Sequence, residues 1–499
     1  YYTPDSLVQE LLDSALEPVI AERTRGATDP QQALLSITVC DPACGSGHFL
    51  LAAARRLANH LARMRAQGTP SGDDYRHALR DVIGHCIFGV DLNPMALELA
   101  RMSLWLEAMT PDRPLGFLDH HLQCGDALLG VMDPTMLDGG LPDDAFAALT
   151  GDDRAVASEA KKQNKIERQS WQQSLAAGDL FQAEQLAATT NKIEQLSDDN
   201  LDGVAAKRAA WQAAESAAHH SRFARLADLY VGAFLLPKVR SDGLTLPSSR
   251  HLWAVANNQE DPTLEAAEQA AQEACAQARV LHWWVAFPQI AAAGGFSVML
   301  GNPPWEMLQL DPQEFFAAEA PEIANAQHMA ARERLIAALE SERPQLYRRY
   351  WAAVRRMEAL QSFAHGSARF PKSGFGRVNL ASLFAETLLH TTAIRGRGRS
   401  GVVLPSGIAT DSFTQHLFNE IADGKLVSFF DFENRKALFS GVHRSYKFCL
   451  MTFGQAATAE FQFFSGDVTD LSDARRRFSL STEDFSLLNP NTRTCPVFR

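Results

Sequence analysis

The stretch Leu34-Leu-Ser-Ile-Thr-Val-Cys40-Asp41-Pro42-Ala43-Cys44-Gly45-Ser46-Gly47-His48-Phe49 decides the fold. Residues 34–40 form an apolar, partly β-branched run that reads as a buried strand, and residues 49–64 have the apolar spacing of a long helix. Between them, Gly45 and Gly47 let the backbone pass within contact distance of a ligand while the helix turns its N-terminus toward it. A dinucleotide-binding turn would need a third glycine where Leu50 stands and an acidic residue about 20 positions on; Asp91 comes 44 residues after Gly47. A P-loop is excluded, because no Gly-Lys-Ser/Thr follows.

Working outward, the cycle repeats. Residues 86–90 read as a second strand, 91–94 as a turn, and 95–109 as a helix with Pro94 at its first position. A short third strand near 121–124 ends at Gly125-Asp126. Strand and helix in alternation predict an α/β fold with a parallel sheet covered on both faces. Upstream, Thr3 and Pro4 open a helix carrying Leu7, Leu11, Leu12 and Leu16, with Thr3 as its cap. Residues 143–276, rich in Ala, Gln, Glu and Lys and including the helical pattern of 181–188, read as a large helical insertion. The sheet resumes at 296–301, a second helical stretch covers 314–361, and 401–405, 426–430 and 446–453 supply further strands. The expected division is a cofactor half over 1–135, the insertion over 136–285, a target half over 286–465, and the start of a further C-terminal region over 466–499.

The 499 residues are 46% hydrophobic and 21% charged, which fits a soluble globular protein of two or three packed units and excludes disordered and disulfide-stapled classes. Seven scattered cysteines form no C-x-x-C pair and have no neighbouring histidine ligand set, so neither a zinc site nor a disulfide framework is indicated, no metal is expected, and a reducing cytoplasm fits best. No apolar run reaches the roughly 18–20 residues of a membrane span. Tyr1 opens directly on the Thr3-Pro4 motif with neither initiator Met nor signal pattern, which points to a piece of a longer chain. The net charge of −12 disfavours a nucleic-acid partner unless cations segregate on one face.

Asp91 falls at the end of the second strand, where a carboxylate can accept the hydroxyl hydrogens of a ribose; its plainer reading is a helix cap near Pro94. Asp126 ends the third strand and could accept from an adenine amino group, or simply form a turn. The second strong signal is Asn302-Pro303-Pro304-Trp305 after a strand. Two prolines fix an extended turn, so the Asn302 side-chain carbonyl and a main-chain carbonyl converge as acceptors for an amino group, and Trp305 offers a flat face to an extruded base. An isolated tetrapeptide of this kind is more often only a turn.

Taken in order, Tyr2-Thr3-Pro4, residues 41–49, residues 91–94, Asp126 and Asn302 to Trp305 resemble the S-adenosylmethionine-dependent N6-adenine DNA methyltransferases of the gamma arrangement, most closely the methylases of type IIG restriction-modification and of BREX and DISARM phage defence. The resemblance implies a Rossmann-like, mostly parallel methyltransferase sheet, S-adenosyl-L-methionine as cofactor and double-stranded DNA as partner, with other defence-system subunits as further partners and no membrane. It places Thr3 and Pro4 at the closure of the cofactor pocket, Asp41, Ala43, Gly45 and Gly47 along the methionine half, Asp91 on the ribose, and Asp126 with Leu92 at the adenine. It also implies catalytic roles for Asn302, Pro303, Pro304 and Trp305, sets Asn379, Leu380 and Phe384 beside the pocket, and makes Phe439 a second aromatic against the flipped base.

Cations cluster late in the chain, and Lys372, Arg377, Arg444 and Lys447 are the candidates for DNA contact, although any one of them taken alone reads as solvated surface. Residues 370–377 interleave glycines with aromatic and cationic side chains, as a backbone clamp would. The alternatives are methylation of another planar amino group, in an RNA base or a protein glutamine, and a non-catalytic DNA-binding defence subunit.

Overall fold

The computed structural model describes residues 2–66, 68–111, 113–170, 183–241, 243–492 and 494–495. Its centre is a sheet of β1 (Val39–Asp41), β2 (Ile87–Asp91), β3 (Leu122–Cys124), β4 (Val298–Gly301), β5 (Arg399–Pro405), β6 (Leu426–Glu433), β7 (Lys447–Phe453), β8 (Thr458–Ser465) and β9 (Phe478–Ser481). The spatial order is β3-β2-β1-β4-β5-β7-β6-β8-β9. Strands β3, β2, β1, β4 and β5 are mutually parallel. β7 runs antiparallel between β5 and β6, which distinguishes this sheet from the 3-2-1-4-5-6 dinucleotide-binding order. This is the expected mostly parallel, Rossmann-like α/β sheet.

The sheet is covered on both faces, as its near-continuous apolar strands require. One apolar core joins β1 and β2 to Leu57 and Leu61 of the helix His48–Ala66 and to Leu7 and Leu11 of the first helix. The other packs Phe296 and Leu404 against Leu388 and the insertion's Phe234. Strand order reverses between β1 and β4, and an open α/β sheet offers its ligand crevice outside the carboxyl ends at that point.

Between β3 and β4 the described residues form helices, among them Arg154–Ser170, Ala183–Glu194, Leu201–His219, Arg222–Leu235 and Leu264–Ala278, and no strand. Phe181 and Gln182 of the expected helical pattern lie outside the described residues. Three expectations are corrected. Leu34 and Leu35 belong to the helix Pro30–Leu35, because Asp29 caps it through Gln31 and Gln32 and Pro30 takes its first position, leaving β1 only three residues. Thr3 does not cap the first helix, whose N-cap is Pro4. Finally, the sheet does not end with the strand at 446–453: β8 pairs with β6 and β9 with β8, so residues after 466 add an edge strand and the helix Thr482–Leu488, whose Phe485 packs on Phe418.

Candidate active site

The glycine turn follows β1 directly. Gly45 and Gly47 have φ of 54° and 86°, a region that only glycine enters without strain. Gly47 is also held by space, since a Cβ there would lie 3.2 Å from the Ala100 Cβ, whereas a Cβ on Gly45 would meet nothing within 4 Å. The turn is tied down by its own backbone, with Cys44 N donating to Val90 O at 2.9 Å and Gly47 N to Cys44 O at 2.8 Å.

Asp91 completes this tie. One carboxylate oxygen accepts from Gly45 N at 2.8 Å, the other from Asn93 N at 2.8 Å, and each keeps a second lone pair. The capping role near Pro94 is taken by Asn93, which accepts from Met95 N. Asp41 ends β1 and is nearly sealed off, with Ala43 N donating to it at 3.0 Å. Burial, with the nearby Asp91 charge adding to it, pushes the Asp41 carboxyl up to about 7.

Asp126 lies two residues beyond β3, buried, with Leu128 N donating to its carboxylate at 3.0 Å, and burial raises its carboxyl above the ordinary range. The end of the insertion returns to this point. Asp126 N donates to Arg279 O at 2.7 Å, Asp126 bridges to Val280, and the Arg279 guanidinium donates to Leu92 O at 2.8 Å. The Leu92 side chain is left exposed. The Arg279 contribution has no local motif and was not legible in the sequence.

Asn302 to Trp305 leave β4 beside this turn. Asn302 Nδ2 donates to the Thr3 hydroxyl at 3.1 Å, and Oδ1 is buried with no partner. Pro303 is buried and Pro304 exposed. Trp305 is braced on two sides: its Nε1 donates to Val403 O at 3.3 Å, and its carbonyl accepts from Asn379 Nδ2 at 2.8 Å. Asn379 also caps the helix Leu380–Thr391 through Ala381 N, and Phe384 is buried within that helix. Tyr2 packs its ring, tilted by 44°, 4.4 Å from His48 at the start of the helix after the turn, and His48 Nε2 is buried without a partner.

Phe439 requires a correction. It is 2% exposed, lies edge-on to Trp305 at 5.4 Å and to Phe448 at 5.0 Å, and is locked by paired bonds to the Asn434 side chain. It supports the tryptophan from behind and has no face to offer a base. The accessible partner ring is Tyr446, parallel to Trp305 within 5° at 5.6 Å. Its position just before β7 is a tertiary fact without a sequence signature.

The cations separate into two groups. Arg377 and Arg444 are exposed and enter no ion pair among the described residues. Lys372 pairs with Glu420 at 3.5 Å, and Lys447 sits 4.2 Å over the Phe464 ring. Arg377 is next to the Asn302 to Trp305 segment, because Leu308 N donates to Val378 O at 2.9 Å. Within residues 370–377, Phe370 is core rather than clamp, while Phe375 is about half exposed.

The Eco57I restriction-modification methylase domain matches residues 85–330, and the MmeI DNA-methyltransferase domain matches residues 20–118. The first span holds Asp91, Asp126 and Asn302 to Trp305; the second holds the glycine turn. A putative type II restriction enzyme and methyltransferase of Methanocaldococcus jannaschii is 24% identical over 27% of this chain and 15% of its own length. The adenine-specific methyltransferase PglX of Streptomyces coelicolor is 31% identical over 26% of this chain and 10% of its own length. The chain thus spans less than a sixth of the curated relatives it matches. A modification subunit of a putative type I restriction enzyme from Vibrio vulnificus aligns over 98% of this chain and 51% of its own, at 11% identity and a TM-score of 0.35. Residues 20–330 are thus similar, over the two matched spans, to the DNA-methyltransferase domains of the Eco57I and MmeI restriction-modification enzymes.

Proposed function

We propose that the chain transfers a methyl group from S-adenosyl-L-methionine to adenine N6 in double-stranded DNA, as part of a restriction-modification or phage-defence system. Methyltransferases of this family use S-adenosylmethionine, and the residues here fit it. Open space faces Gly45 where a Cβ would project, Asp91 has spare lone pairs for a ribose, and Asp126 lies beyond the neighbouring strand for a purine. Thr3, Pro4, Asp41, Ala43, Gly45, Gly47 and Leu92 complete the proposed pocket. When bound, the cofactor supplies an electrophilic methyl group on a sulfonium centre.

The observation that carries the reading is the orphaned Oδ1 of Asn302. A buried amide oxygen without a partner costs about 1–3 kcal/mol, and an amino group placed there would relieve that cost. Oδ1 and the Pro303 carbonyl hold the two N–H bonds of adenine N6, turning its lone pair out of the ring toward the methyl donor. Trp305 stacks on the extruded base, with Tyr446 and the cations Arg377 and Arg444 at the DNA side.

The test is transfer of labelled methyl groups from S-adenosylmethionine to genomic DNA by the full-length protein, followed by nucleoside analysis and sequencing of modified positions. Label in N6-methyladenine at a defined sequence supports the reading; label only in RNA, in protein or in cytosine overturns it.

A further inference from the structure

His120, His121 and Glu194 bring three ligating side chains together away from the methyltransfer site, with one donor atom of each within 4.8 Å of the others. Glu194 Oε1 lies 3.0 Å from His120 Nε2 and 2.9 Å from His121 Nε2. Both imidazoles have no exposed surface. His120 and His121 immediately precede β3, and Glu194 is the last residue of the insertion helix Ala183–Glu194, so the cluster joins sheet to insertion.

A purely hydrogen-bonded cluster accounts poorly for these contacts. His120 Nε2, although 3.0 Å from Glu194 Oε1, is not aligned to hydrogen-bond it, and Glu194 Oε2 is also buried without a partner. Buried polar atoms in proteins are nearly always satisfied, and these two orphans on touching side chains ask for a missing partner. Zinc bonded at about 2.0–2.1 Å to nitrogen and oxygen in tetrahedral geometry sets its donors roughly 3.3 Å apart, and the two nitrogen–oxygen pairs here, at 3.0 and 2.9 Å, come within a few tenths of an ångström of that. Both Nε2 atoms and one Glu194 oxygen then make three protein donors and leave the fourth position open.

The surroundings are apolar: His120 stacks on Phe117 at 5.3 Å and 13°, near Trp211 at 6.0 Å, and His121 lies 3.9 Å from Phe88. Buried Lys207 is the opposing charge nearby. The scarcity of paired cysteines excludes a thiolate site and does not bear on this one.

We propose that His120, His121 and Glu194 bind one divalent transition-metal ion, of the zinc class, which fastens the helical insertion to β3 and takes no part in methyl transfer. The experiment strips full-length protein with a chelator, returns equimolar zinc, desalts, and counts bound metal by mass spectrometry, beside calorimetric melting with and without chelator. About one zinc per chain is expected, falling below about a tenth in His120→Gln/Glu194→Gln, and chelator should lower the wild-type Tm by roughly 5 °C without moving that of the variant. His121→Gln serves as the second variant if the double substitution does not fold. Wild-type protein that takes up less than about a tenth of an equivalent, or variants that keep the wild-type stoichiometry, overturn the proposal.

Discussion

Asn302 gives its amide N–H to the hydroxyl of Thr3 across 3.1 Å, a contact between residues 299 positions apart. That bond decides which end of the amide faces the site, because it leaves Oδ1 as the free acceptor. Asn302→Ala should reduce methyl transfer by about 10²–10³ while S-adenosylmethionine affinity stays nearly constant. Thr3→Val, which keeps the shape but removes the hydroxyl, should cost roughly tenfold in the same step. Single-turnover transfer and calorimetric binding, measured on each variant, separate these outcomes; wild-type turnover by Asn302→Ala would remove the assigned role.

The two glycines of the turn should fail differently. Gly45→Ala strains the backbone by about 1–2 kcal/mol and places a methyl in the open space proposed for the cofactor, so binding should suffer more than stability. Gly47→Ala adds a contact with Ala100 on top of the same strain and should mainly lower Tm. Asp91→Ala should weaken cofactor binding by roughly 1–3 kcal/mol and release Gly45 N as well. Titration calorimetry paired with melting curves reads both quantities, and equal effects at the two glycines would contradict the assignment of the open space.

Asp41 makes stability depend on pH in an unusual direction for a carboxylate. Its folded value of about 7 exceeds the unfolded value of about 3.9, so the folded chain binds the extra proton between them. Its contribution is fully present below about pH 4 and is lost as pH rises to about 7, by at most about 4 kcal/mol. Asp41→Asn retains an acceptor for Ala43 N and should be more stable than wild type above about pH 7, the advantage vanishing toward about pH 4. Denaturant titrations of the cofactor-free protein across that range check the sign.

The aromatic cluster offers a third kind of contrast. Trp305→Ala and Tyr446→Ala should weaken productive DNA engagement by roughly 1–3 kcal/mol each, through loss of stacking surface. Phe439→Ala instead opens a cavity behind Trp305 and should lower folding stability by about 3–5 kcal/mol. Equilibrium unfolding beside DNA-binding curves distinguishes them; a stable Phe439→Ala that loses only DNA affinity would restore the ring to the base site.

The parts of this molecule that local rules govern were legible. A β-branched run, glycines at positive φ and a helix beginning at once leave one reading for residues 39–66, and two prolines after a strand fix the backbone turn at 302–305 whatever its role. Local rules also explain two misreadings. Asp29-Pro30 is a helix start that claimed Leu34 and Leu35, and the alternation of Phe461 with Phe463 marks β8. The four residues of β9 are largely partly exposed and offer almost no periodic signal. Which ring stands beside Trp305, which residue holds Asn302, and how Arg279 reaches Leu92 depend on chain segments far apart in sequence, where spacing carries no information.

The return of the insertion through Arg279 and Val280 to Asp126 constrains how such a domain can be exchanged between proteins. An insertion that came and went at the sheet edge could be swapped as a cassette. Here the graft junction is itself part of the proposed purine wall, since Arg279 holds the Leu92 carbonyl on one side and the Asp126 amide on the other. A chimera whose foreign segment runs on through Val280 inherits a foreign wall, whereas one rejoined after Ala278 keeps the recipient's Arg279. Exposed positions of a helix such as Arg154–Ser170 can diverge without that penalty, while its buried Asn164 stays tied to Leu141 O and Ser249 N.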